Sequence, residues 1–405
     1  MSSVLRLENA CIGGVHVDVT AVDGIIAAIE PAHATPRPTG AEVLDVAGRV
    51  VMPPLVNGHA HLDKTFWTLP WRPHRPGRSV QERVAQERAI RAEETTPQAP
   101  RAAALGARMA EEGVGYVRSH VDIDTLVGLS GLEAVLEARA ELAGVIQIQI
   151  VAFPQSGILA DPGVRELMAE AMTIGADVVG GLDPFGFDGD TKAHLDVVFA
   201  LAEKHSAPVD IHLHDTGRAG LDQIDQICAR TRALSMQGRV TVSHAYALGS
   251  VPTEEILPTV GRLAEADVAI MTNGPVGTTP PLRVLRSAGV TVFSGSDGIR
   301  DAWSPYGAPG MTPIAAQVAY QSGFRDDIDL EAVANVVTNG GARVLELPHY
   351  GIEVGHCADL VVFDALTVAE IVATSLSPAL VLRAGRALHP RRTDPLLVAE
   401  AEVTS

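Results

Sequence analysis

The chain has 405 residues, of which 46% are hydrophobic and 20% charged. That much apolar material builds a large core, which excludes both a mini-scaffold and an intrinsically disordered chain. Forty-nine acidic against 31 basic side chains give a formal charge of −18, scattered rather than gathered in blocks, so neither nucleic acid nor a membrane surface is an expected partner.

Cys11, Cys228 and Cys357 are far apart in sequence, which indicates neither a disulfide framework nor a thiolate zinc site. The opening MSSVLRLENACIGG has no basic stretch ahead of an apolar one, and no run of ~18 apolar residues occurs. A cytoplasmic protein is expected.

Residues 1–50 alternate apolar and polar positions between turn signals, as in HVDVTAVDGIIAAI, and predict half-buried antiparallel strands. A β-branched run follows at 51–61. The Pro-rich stretch His74–Ala99 then inserts a loop and a polar helix, a candidate lid or oligomer contact. From residue 113 onward short apolar runs alternate with Ala-, Leu-, Glu- and Arg-rich segments at helical spacing, the pattern of βα units. The runs lie at 113–123, 145–155, 176–184, 207–215, 239–246, 267–274 and 289–297, which with 51–61 makes eight.

Eight such units over ~250 residues predict a (β/α)8 TIM barrel, whose strand C-termini converge on one mouth. A doubly wound sheet would want a glycine-rich phosphate turn after an early strand, and none is present. Residues 351–405 return to alternation. The expected organisation is a barrel over 53–349 and a small β-sandwich domain built from both termini, 1–52 with 350–405.

The runs are apolar in their bodies but end in chemically capable residues. In VNGHAHLDK (56–64), His59 and His61 are two apart at a strand end and point to the same side, a geometry suited to holding one metal ion. The fifth run ends HLHD, where His212 is the expected third imidazole, and the eighth ends SGSD, where Asp297 offers an oxygen. Three imidazoles and a carboxylate suit Zn²⁺ or Fe²⁺ with a position left for water.

GHAHLDK (58–64), VRSHVDID (117–124), VAFPQSGIL (151–159), DIHLHDTG (210–217), VTVSHAYAL (240–248) and SGSDGIRDAWSPYG (294–307) together resemble the cytosine deaminase-like branch of the amidohydrolase superfamily. HAHLDK and HLHD stand nearer to its N-isopropylammelide-type isopropylaminohydrolases than to cytosine deaminase itself. The resemblance implies metal ligation by His59, His61, His212 and Asp297. It sets Asp215 where the branch places a proton-shuttling Glu, and Gly298 where cytosine deaminases carry a second Asp. The fourth run ends GGLDP without the lysine that bridges two metals in other members, so one divalent ion is expected.

The implied reaction replaces an amino or alkylamino group on a pyrimidine- or triazine-type N-heterocycle by oxygen from metal-activated water. Asp215 is expected to deliver the ring proton, with His244 and Asp297 handling the water's proton and Lys64 stabilising negative charge. Gln155 and Trp303 are expected to hold the ring, with Asp183, His120, Asp122 and Arg300 lining the mouth. His214 is expected either to orient a ligand or to touch substrate, and Asp63 to serve as a cap. The expected partners are a small N-heterocyclic substrate and further copies of the chain. Cyclic amide hydrolysis, and a metal-binding barrel without catalysis, are the alternatives.

Overall fold

The computed structural model describes residues 3–74 and 77–388. Alternation near the N-terminus yields β1 (Val4–Ile12), β2 (Val15–Val22) and β3 (Ile25–Pro31), antiparallel neighbours joined by tight turns at Gly13-Gly14 and Asp23-Gly24, all four with positive φ. β4 (Glu42–Asp45) completes the sheet in the order β3-β2-β1-β4, but it pairs with β1 in parallel. The expected antiparallel pairing fails here because the chain reaches β4 through a crossing connection and not a hairpin.

The first predicted run splits in two. β5 (Val51–Met52) joins a terminal sheet and β6 (Leu55–Ala60) opens the barrel. Between them Pro53 and Pro54 lack the N–H groups that would continue one ladder.

The barrel continues through β7 (Val114–Asp122), β8 (Gln147–Phe153), β9 (Val178–Leu182), β10 (Val209–His212), β11 (Val240–Ser243), β12 (Val268–Met271) and β13 (Val292–Phe293). These eight strands lie in sequential order and every pairing among them is parallel. All residues of β7, β9, β10, β11 and β12 are buried, as expected of strands covered on both faces. The protein is a (β/α)8 barrel.

The ring closes where β6 meets the chain just past β13. The Gly58 N–H donates to the Ser294 carbonyl (3.0 Å), and the Asp297 N–H donates to the His59 carbonyl (2.9 Å). This seam has no room for side chains at two points. A Cβ on Gly58 would lie 2.3 Å from the Phe293 ring, and one on Gly295 would lie 2.4 Å from the His59 backbone.

The insertion forms α1 (Val80–Glu93), capped by the Ser79 hydroxyl, which accepts from the Glu82 N–H (3.1 Å); α2 (Gln98–Glu111) then leads into β7. α1 buries only Val84 and Glu87 completely. Arg75 and Pro76 of the insertion lie outside the described residues.

Towards the C-terminus β14 (Leu360–Val362), β15 (Leu380–Arg383) and β16 (Arg386–Ala387) pair antiparallel, with β14 against β5, in the order β16-β15-β14-β5. A helix, Val368–Thr374, interrupts this region, which its alternating sequence did not suggest. Leu7, Val19 and Ile26 from one terminal sheet share an apolar cluster with Leu360, Val362 and Leu382 from the other. The expected strand-rich tail beyond residue 388 lies outside the described residues. Among the described residues no helix is long and apolar enough to cross a membrane.

Candidate active site and metal centre

The end of β6 directs His59 and His61 into the barrel mouth, where His212 at the end of β10 meets them. One ring nitrogen of each lies within 4.8 Å of the others. Asp297, carried past β13 by the closing seam, brings Oδ1 to 3.2 Å from His61 Nε2 and 3.8 Å from His59 Nε2. His59, His244 and Asp297 form a second group within the same 4.8 Å limit.

The imidazoles are buried and Asp297 is partly exposed, and several nitrogens have no protein partner: His59 Nε2, His61 Nδ1 and both of His212. Buried polar atoms left without partners are costly, and a cluster of them converging on one point suits a cation. Burial holds His59 and His212 well below the usual imidazole range, in the neutral form that ligates. Burial alone would raise Asp297, but the hydrogen bond from His61 and the surrounding imidazoles hold it well below the carboxylate range, as the anion. The residues present fit a divalent metal ion.

His59 is also oriented from behind. Its Nδ1 lies 3.1 Å from the Ser243 hydroxyl, which donates to Asp210 Oδ1 (2.6 Å), and Asp210 Oδ2 accepts from Arg118 (2.9 Å). Because the hydroxyl proton is committed to Asp210, the hydroxyl oxygen accepts from Nδ1–H, which leaves the Nε2 lone pair facing the other donors.

The site also contains a paired acid. The Asp183 carboxylate accepts from the His214 backbone N–H (2.6 Å) and from His214 Nδ1 (2.8 Å). Burial would lower His214, but the Asp183 charge and hydrogen bond outweigh it and raise the imidazole above its usual range. Next to it, stacked at 4.6 Å between ring centroids, His244 is pushed down to about 3 by burial and by His214. One ring is poised as an acid and its neighbour as a base. Asp183, His244 and Asp297 all have positive φ (34°, 69° and 58°), as the chain turns sharply on leaving each strand.

These groups open onto a cavity of about 590 Å³, lined among others by His61, Lys64, Phe153, Gln155, His214, His244, Tyr246, Asn273, Asp297 and Trp303. The same cavity has a polar wall. Lys64 Nζ donates to Asp122 Oδ1 (3.1 Å) and lies 3.5 Å from Gln155 Oε1 and 5.5 Å from the Trp303 ring centre. α1 braces this wall: Arg91 donates to Asp122 (2.5 Å), and Glu87 accepts from Trp303 Nε1 (2.6 Å) and Gln155 Nε2 (3.3 Å).

Several expected residues stand elsewhere. Asp215 does not line the cavity; its carboxylate accepts from the Gly186 N–H (2.9 Å) and the Gln223 amide (2.7 Å), and its sequence neighbour His214 faces the cavity instead. Asp183, His120 and Asp122, expected at the substrate, do not line the cavity either. Asp183 holds His214, Asp122 holds Lys64 and Arg91, and His120 packs against His59 with ring centroids 3.9 Å apart. Arg300 donates to the Leu69 carbonyl (3.0 Å) and also stays off the lining. Asp63 is no helix cap: it is buried beside Arg91 (3.5 Å) and accepts from the Asp122 N–H (3.2 Å). Glu87, Arg91, Ser243 and Asn273 were not singled out from the sequence. In a chain read alone, Glu87 and Arg91 look like an ordinary i,i+4 surface pair on a polar helix.

A family model described as "Amidohydrolase family" matches residues 42–389. N-isopropylammelide isopropyl amidohydrolase of Pseudomonas sp. (strain ADP) is 32% identical over 85% of this chain and 87% of its own length. The structure of N-isopropylammelide isopropylaminohydrolase from Burkholderia multivorans ATCC 17616 superposes with a TM-score of 0.90 at 39% identity, covering 95% of this chain and 98% of that one. The structure of 5-methylcytosine deaminase from Klebsiella pneumoniae with 5-fluorocytosine gives 0.85 at 28% identity, covering 96% and 98%. With the imidazole and carboxylate donors gathered at a barrel mouth and the family match across most of the chain, the protein belongs to the amidohydrolase family and is a hydrolase of carbon–nitrogen bonds other than peptide bonds.

Proposed function

We propose that the protein is an aminohydrolase that removes an amino or alkylamino group from a triazine- or pyrimidine-type ring, with one zinc or iron ion held by His59, His61, His212 and Asp297. The observation that carries this reading is the His214–Asp183 pair beside His244, on the same cavity as the partnerless metal-ligand nitrogens. A metal-binding barrel without catalysis has no use for a buried acid and base side by side.

When bound, the ion supplies acidity to a water molecule and so makes it a nucleophile near neutral pH. The remaining work falls to side chains. His244, held neutral, accepts a proton from that water. His214, whose protonated form Asp183 favours, delivers a proton to the departing nitrogen, and exchange with bulk water then returns the proton lost by His214 and removes the one gained by His244. Across the reaction one C–N bond breaks, one C–O bond forms, one water is consumed and one amine leaves. Lys64 and Gln155 face the ring's polar edge while Trp303 and Phe153 provide apolar wall.

The relatives' names point to N-isopropylammelide or a similar oxo-alkylamino ring as substrate. Cys11 and Cys228 buried as free thiols and Cys357 exposed suit a reducing compartment, and we place the protein in the cytoplasm. The test is elemental analysis followed by amine and ammonia release from a panel holding N-isopropylammelide, aminated pyrimidines and cyclic amides. Release of amine from the aminated rings is expected. Fully metal-loaded protein that releases nothing from them would overturn the proposal, and ring opening of the cyclic amides alone would assign the site to amide hydrolysis.

A further inference from the structure

We propose that Glu87, carried to the barrel mouth by the insertion helix α1, is a positioning residue that sets substrate specificity: it fixes the Gln155 amide so that the cavity wall presents N–H donors to the ring. The proposal rests on the reading of the site as one for N-heterocycles.

Glu87 is 2% exposed on a helix that otherwise faces mainly outward. Burying a carboxylate is costly unless donors surround it. Here the donors are Trp303 Nε1 at 2.6 Å, Gln155 Nε2 at 3.3 Å and Lys64 Nζ at 3.7 Å, all directed at Oε2. All three belong to the cavity lining, and Glu87 does not. Its carboxylate therefore acts on the substrate through the wall.

A glutamine amide can present either end, and the two ends differ in what they recognise. In Gln155 the choice is forced from both sides. Nε2 meets the Glu87 carboxylate, and Oε1 lies 3.5 Å from the Lys64 ammonium. Burial pushes Glu87 up to about 8, yet a proton on it sits on the partnerless Oε1, because Oε2 faces the Trp303 N–H. A flipped amide would therefore set oxygen against the acceptor Oε2 and NH₂ against ammonium, two repulsive contacts in a buried setting. With that orientation locked, the second Nε2 hydrogen remains for the ligand, beside a Lys64 ammonium whose three hydrogens already face Asp122, Gln155 and Glu87. Donors on the wall favour a ring edge carrying oxo groups, and an amino group at the same place would face N–H with N–H.

Cyanuric acid and melamine, rings of one shape bearing oxo or amino groups, test this by calorimetric titration of the metal-loaded full chain. The wild type is expected to bind the oxo ring more tightly. In Glu87→Gln, which keeps the side-chain volume, that preference should fall at least about tenfold, the worth of one well-placed hydrogen bond. Gln155→Ala should lose the same preference, and the double variant should lose little more. The ¹⁵N-indole resonance of Trp303, assigned with Trp303→Phe, should move in Glu87→Gln further than those of Trp67 and Trp71, which reports the lost contact without any ligand. An unchanged oxo-over-amino preference in folded, metal-loaded Glu87→Gln overturns the inference, as does a wild type with no preference. A wild type that keeps the preference, loses it in the variant and yet releases no amine from any aminated ring overturns the proposed function and leaves the role of Glu87 standing.

Discussion

His59 reaches the cluster with one nitrogen already engaged by Ser243, so its coordinating nitrogen is chosen by a hydroxyl that is itself fixed by Asp210 and Arg118. Ser243→Ala is expected to leave the fold intact and weaken metal binding by about 10–100-fold, the usual cost of removing such an orienting partner; competition with a chromophoric chelator measures it. The proton relay gives a sharper contrast between two aspartates. Asp183→Asn should retain metal and lower kcat by about 10²–10⁴, because His214 loses the anion that raises its proton affinity. Asp215→Asn should stay within a few-fold of wild type, since its partners are Gly186 and Gln223 and not the cavity. Equal losses in the two variants would return the acid role to Asp215.

That contrast marks the limit of what the sequence made legible at this scale. His59 and His212 could be read because they lie within strands, and His61 because it follows β6 by a single residue, where strand periodicity still sets its side. One step past β10 it does not. His214 and Asp215 lie beyond the last ladder residue, and nothing in HLHD says which of the two faces the mouth. His244 and Asp297 likewise lie on positive-φ turns, yet they were legible as the residues that ended an apolar run.

The elements were legible in proportion to their apolar content. The barrel strands were found because each is buried on both sides and so reads as a β-branched run. α1 was found as a helix, but its function was not, because it docks by charge. Arg88 lies 3.4 Å from Asp124 and 3.2 Å from Asp161, Arg91 meets Asp122, and Glu87 meets Lys64, all arrangements that a sequence pattern shows as solvent-facing. The parallel β1–β4 pair was missed for a related reason, since alternation fixes which residues face the core but not the direction of the neighbouring strand.

The same N-terminal sheet carries a pH-dependent element. Buried Arg6 donates to Asp18 Oδ2 at 2.8 Å, and Asp18 also accepts from the Asn9 and His33 N–H groups, each at 2.8 Å. Burial works against the anion, but these hydrogen bonds and the Arg6 charge outweigh it and hold Asp18 below the carboxylate range. A lowered folded-state value stabilises the fold fully above the unfolded value and loses that contribution as pH falls through the folded one. Asp18→Asn should therefore cost about 3 kcal/mol near neutral pH, the low end for a broken buried pair because Arg6 keeps Glu30. The difference should shrink as the solution is acidified below about pH 4, and urea unfolding across pH would reveal it. A constant difference would mean the carboxylate's charge contributes nothing.

At the scale of the molecule the barrel is a hoop whose two ends must be fastened, and the fastening passes through the reactive centre. His59 sits on the first barrel strand and His61 one residue past it, Asp297 sits just past the last, and backbone links such as Gly58 to Ser294 and Asp297 to His59 join the same two edges. An ion shared by those side chains is thus a rivet as well as a reagent. A ligand held only by the folded form adds about 4 kcal/mol at a thousandfold excess over its Kd, so stripping the metal should lower Tm by roughly 5 °C, since an unfolding entropy of about 2.1 cal/mol/K per residue makes each kcal/mol worth about 1.2 °C in a chain of 405 residues. Scanning calorimetry with and without chelator measures that drop, and hydrogen exchange should show residues 55–60 and 292–297 loosening before the opposite side of the ring. The hoop would spring at its joint, so this protein would lose its shape and its chemistry in one event.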